Sequence, residues 1–92
     1  MRPPPSRLIA DLPNLGPKSR QALLRAGITS VAQLRSLGSV AAYSLAKRKT
    51  ANVSLNLLWA LEGALTGLPW RVVAWEHRTS LLLALEAHQR GA

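Results

Sequence analysis

The segment from residue 54 to residue 69 constrains this chain more than any other. Ser54 is a helix-capping residue, Gly67 a natural helix stop, and Pro69 lies just beyond. Between them, Leu55, Leu57, Leu58, Trp59, Ala60, Leu61, Ala64 and Leu65 leave only Asn56, Glu62, Gly63 and Thr66 to interrupt the apolar surface. A helix that is apolar on most sides must be wrapped by other elements. The spacing therefore predicts a central helix over residues 55–66, with the rest of the chain arranged around it. The other elements read as helices too. Leu and Ala supply most of the apolar content, Phe is absent, and only residues 71–75 resemble a strand, weakly. The expectation is an all-α domain of about five short helices.

Glycine, proline and capping residues divide the remainder. Residues 1–5 carry three consecutive prolines and read as an extended, disordered arm, with one helical domain over residues 6–92. Leu8, Ile9 and Leu12 form a short periodic piece that Pro13 ends. Asn14 and Gly16, the residue types that best tolerate left-handed backbone, predict a tight turn. Pro17 then suits the first position of a helix running to about residue 26, with Gly27 closing it. On that helix Ala22, Leu23 and Ala26 share a face, Lys18, Gln21 and Arg25 share another, and Leu24 falls off the core stripe towards the preceding piece. Ser30 and Gln33 have the spacing of a capping box. They start a helix that carries Val31, Leu34 and Leu37 inward and stops at Gly38. Ser39 caps the next, over residues 40–47. Residues 70–74 read as a connector that packs Trp70 and Val72 down. A last helix over about 75–89 carries Leu81, Leu82, Leu83 and Leu85.

The chain has no cysteine, so disulfides and thiolate metal sites are excluded and a cytoplasmic setting is expected. Its apolar runs, such as residues 57–61 and 81–85, fall far short of the ~20 residues that span a bilayer. Twelve Lys and Arg oppose four Asp and Glu, a formal charge of +8 on 92 residues. Such an excess makes a field that attracts polyanions, nucleic acid first and an acidic protein second. Basic residues scattered over several helices argue against a membrane-surface role.

Enzymatic chemistry finds little support. The acid–base candidates are Asp11, Glu62, Glu76, Glu86, His77 and His88. Glu62 and Glu86 lie on different predicted helices with nothing to mark them as a pair. The histidines, eleven residues apart on one predicted helix, would sit about 16 Å from each other, too far for one metal. No metal or cofactor is expected. The turn feeding the helix at Pro17 is different: free amides and the positive end of a helix dipole suit an anion. Short helix, hairpin and second helix together have the layout of a helix-hairpin-helix element, which grips a nucleic-acid backbone without reading bases. Candidate nucleic-acid contacts are Asn14, Gly16, Lys18, Ser19, Arg20 and Arg25, with Lys47, Arg48 and Lys49 as a second phosphate contact. The alternative is a plain corner at Gly16 and a solvated helix end at the basic triplet. Trp59, Trp70 and Trp75 read first as core, with one of the latter two available to an interface.

Residues 12–19 (LPNLGPKS), 27–29 (GIT), 34–38 (LRSLG), Ala42-Tyr43, 54–64 (SLNLLWALEGA) and Trp70-Arg71 together resemble the C-terminal domain of the TfoX (Sxy) family. That resemblance implies an all-α domain of the helix-hairpin-helix or SAM-like type. It also implies a regulatory part in natural competence, acting on DNA-uptake genes, in some members with the cAMP receptor protein. The partner would then be DNA or a DNA-bound transcription factor. The family's usual N-terminal α/β domain is not in these residues, so a stand-alone copy is expected. A protein-interaction adaptor, using a helix face and a Trp, is the other reading.

Overall fold

The computed structural model describes Ile9, Leu12 and residues 14–91. The proline arm, most of the short periodic piece before Pro13 and Asp11 lie outside the described residues. Five helices follow in order: α1 (Pro17–Arg25), α2 (Val31–Lys49), α3 (Leu55–Thr66), α4 (Trp70–Glu76) and α5 (Arg78–Gly91). Among the described residues there is no strand, and no helix is long and apolar enough to cross a membrane.

α3 is the centre, as its sequence demands. Leu57, Leu58, Trp59, Ala60, Leu61, Gly63 and Ala64 are all buried, and the helix packs chiefly against α2 and α4. Its C-cap, Gly67, is left-handed at φ 81°, which glycine adopts without the Cβ clash. α2 in turn carries α1 and the N-terminal part of the core on one side and α5 on another. Ile9 and Leu12 reach the same core, joined by a Leu12 N–H to Ile9 carbonyl bond of 3.1 Å.

The helix start at Ser30 is built as the capping-box spacing requires. The Ser30 hydroxyl accepts from the Gln33 amide at 3.1 Å, and the Gln33 side-chain oxygen accepts from the Ser30 amide at 3.1 Å. Gly38 breaks the helical backbone with φ 81° and ψ 167°, but the chain resumes helix at once. The two helices expected here are thus joined end to end across a kink. Ser39 is buried, and its hydroxyl donates to Glu62 of α3 at 2.7 Å. That bond ties the second half of α2 to the centre.

Three expectations need correction. Leu37, read as inward, is exposed, because the kink hands the core side over to Ser39, Ala42, Tyr43 and Ala46. Leu24, expected off the core stripe, is exposed, and the piece before it lies mostly outside the described residues. The segment 70–76 is a helix and not a connector: Pro69 sets its first φ at −59°, and Val73, not Val72, is the fully buried residue. The last helix accordingly begins at Arg78. His77 lies outside it with φ −112°, its carbonyl accepting from Leu81 N–H at 3.0 Å and Ser80 hydroxyl at 3.1 Å.

Candidate nucleic-acid interface

The corner before α1 has one closed side and one open side. Asn14 is left-handed at φ 72°, the only described residue other than glycine with positive φ. Its side chain reaches across the fold: Nδ2 donates to the Leu68 carbonyl at 2.9 Å, and Oδ1 accepts from the Trp70 amide at 3.2 Å. Asn14 therefore joins α1 to the α3–α4 turn, and its polar atoms are already engaged. Leu15 is buried beneath it.

Gly16 departs from the expected turn. Its φ of −85° and ψ of −177° are extended, so it acts as the N-cap of α1 and not as a left-handed hairpin residue. It is exposed, with nothing near the position a Cβ would take. Among the described residues no side chain caps this helix start. The Gly16 carbonyl accepts from Arg20 N–H at 3.0 Å, which closes the first turn. Pro17 has no N–H to offer, and among the described residues no acceptor meets the amides of Gly16, Lys18 or Ser19. Such a helix start favours an anion, through these donors and through the helix dipole.

A groove of about 570 Å³ opens beside this start. One wall is α1, with Lys18, Ser19, Gln21 and Arg25. The other is the loop after α2 and the first turn of α3, with Asn52, Ser54 and Asn56, while Asn14 and Trp70 lie along it as well. Ser54 caps α3 by accepting from the Asn56 amide at 3.3 Å. Two helix starts thus converge on one groove. Among the described residues its lining includes two cationic side chains and no carboxylate.

The structure brings together Asn14, Lys18, Ser19 and Arg25 of the candidate residues, with Gly16 at the adjoining cap. It does not bring in the others. Arg20 is half-buried and is not among the residues that line the groove. Lys47 bonds the Ala51 carbonyl at 2.9 Å and the Val53 carbonyl at 3.0 Å, so it staples the loop that forms the groove's second wall. Arg48 borders a separate cleft with Tyr43, Leu85 and His88, and Lys49 is exposed at the end of α2. Asn52, Asn56 and Trp70 are groove residues that the sequence reading missed. Trp70 carries a signal in directly following Pro69 at a helix start, although the sequence favours core packing for it.

Positive charge is left largely unneutralised by ion pairing. Among the described residues the only ion pair is the exposed Arg90–Glu86 contact at 3.7 Å within α5. Two arginines lie over indoles instead: Arg71 over Trp70 at 5.6 Å and Arg78 over Trp59 at 5.8 Å from the ring centroid. No group of three or more His, Asp or Glu among the described residues could hold a metal ion. Burial pushes the Tyr43 phenol above its ordinary pKa, which keeps it neutral. Trp75, which is not among the groove's lining residues, is 87% exposed near the end of α4.

Known proteins resemble this chain in sequence and in fold. The chain is 34% identical over 77 residues to the DNA transformation protein TfoX of Haemophilus influenzae, a match that takes in 84% of this chain and 36% of that protein. The chain thus spans about a third of the length of that relative. A crystal structure of an uncharacterized protein from Listeria monocytogenes superimposes with a TM-score of 0.75 at 28% identity, covering 91% of this chain and 94% of that one. The model of the TfoX C-terminal domain matches residues 5–85, and the chain belongs to that family.

Proposed function

We propose that this domain is a regulatory module of DNA uptake that acts by holding a nucleic-acid backbone in the groove beside α1. The name of the Haemophilus influenzae relative supplies the biological setting. The observation that carries the molecular part is the start of α1, where among the described residues the amides of Gly16, Lys18 and Ser19 meet no acceptor and the groove beside them is lined by Lys18 and Arg25 and no carboxylate. Phosphate contacts of this kind position a strand without reading its sequence. In the cell the partner is then DNA, or a DNA-bound transcription factor such as the cAMP receptor protein implied by the family resemblance. No step of catalysis belongs to this reading.

Fluorescence anisotropy of a labelled DNA oligonucleotide tests it. Binding is expected at low salt and weakens steeply as salt rises, because each phosphate contact releases a counterion. Lys18→Glu with Arg25→Glu should lower affinity at least tenfold. Arg48→Glu with Arg90→Glu makes the same change in net charge at residues outside the groove lining and should cost much less. Equal losses in the two variants would assign binding to overall charge and remove the groove from the account.

A second reading rests on Trp75. An indole this exposed on a small domain, with Leu83 also exposed on α5, is the kind of anchor that protein interfaces use. It supports an adaptor that reaches the transcription machinery through protein contacts.

A further inference from the structure

We infer that the groove takes a single strand with unstacked bases in preference to a duplex, a proposal that rests on the nucleic-acid reading above. The other side chains of the groove favour such a strand. Trp70 lies along it, 37% exposed, with the Arg71 guanidinium over its ring at 5.6 Å. An indole with a neighbouring guanidinium is a stacking platform for any base, because every base has a π face. A duplex hides those faces inside its own stack and offers a protein only base edges and phosphates.

The walls add a second, independent feature. Gln21, Asn52 and Asn56 bring three exposed side-chain amides into the groove, and none has a hydrogen-bond partner among the described residues. Each amide carries both donors and an acceptor, which complement the edges of a splayed base. Lys18 and Arg25 complement the strand's phosphates in the same groove. A volume near 570 Å³ lies in the range of small-ligand sites, about 300–1,000 Å³, and suits a few unstacked nucleotides. Cation, aromatic face and amide edge together are the three contacts a single strand needs.

The test compares a labelled single-stranded DNA oligonucleotide with the duplex of the same sequence, using the full chain at one low salt concentration. The single strand is expected to bind at least tenfold more tightly. Trp70→Leu, which keeps an apolar side chain but removes the ring, should lose most of that difference, and Trp70→Tyr should restore part of it. Circular dichroism of each variant confirms that its helices are intact. Equal or tighter duplex binding by the unsubstituted chain overturns the inference and leaves the backbone-binding reading in place. So does a folded Trp70→Leu variant that keeps the single-strand preference. If neither probe binds, both proposals fall.

Discussion

Gly63→Ala is expected to destabilise the domain by about 2–4 kcal/mol and to lower its Tm by roughly 10–20 °C. On helix propensity alone the change should help, since Ala is favoured over Gly by about 1 kcal/mol inside a helix. The position of Gly63 reverses that sign. A Cβ there would meet the Leu68 carbonyl oxygen at 2.6 Å and Asn14 Nδ2 at 2.7 Å. Leu68 is backbone, so the α3–α4 turn itself has to move. Overpacking of this kind costs about 1–3 kcal/mol, and shifting the turn also stretches the two Asn14 hydrogen bonds, each worth about 1 kcal/mol. Thermal unfolding followed by circular dichroism checks the result. A Tm that is unchanged or higher would mean that the close approach of α3 to the Asn14 corner is not part of the folded state.

Asn14→Ala should cost about 3–4 kcal/mol, from two sources that a second variant separates. Alanine at φ 72° is strained by about 1–2 kcal/mol, where asparagine is more tolerant. The lost bonds to the Leu68 carbonyl and the Trp70 amide add about 1 kcal/mol each. Asn14→Gly relieves the backbone but still loses both bonds, so it should fall between Ala and the unsubstituted chain. Combined with Gly63→Ala, Asn14→Gly should cost less than the sum of the two, because both act on one contact. Strict additivity, or a stable Asn14→Ala chain, would contradict the role of Asn14 as the link between α1 and the α3–α4 turn.

The parts of the fold that were legible in the sequence are those written by local rules. Pro17 and Gly27 bracket α1, Ser30 and Gln33 begin α2, and Ser54 and Gly67 bracket α3, each by a cap or stop that acts within a few residues. Gly38 was legible as a break but not as a kink, because a glycine stop and a glycine kink share one residue pattern. α4 was lost for a related reason. Pro69 after Gly67 reads equally as an exit from one helix or as the start of another, and Val72-Val73 weighs against helix. The candidate site divides along the same line. The open start at Gly16, Lys18 and Ser19 was legible from Gly-Pro spacing. The second wall was not, because Asn52, Asn56 and Trp70 meet α1 only through tertiary packing. The bonds of Asn14 span 54 and 56 residues of sequence, and no periodicity records such a contact.

The most direct measurement of the central claim is a two-dimensional ¹H–¹⁵N NMR titration of the domain with a short DNA oligonucleotide. The largest shifts are expected on the amides of Gly16, Lys18 and Ser19, followed by the Trp70 indole and the side chains of Asn52 and Asn56, as nucleic-acid binding in the groove requires. Shifts absent from the Gly16 corner and gathered around Trp75 and Leu83 would contradict it and leave the adaptor reading.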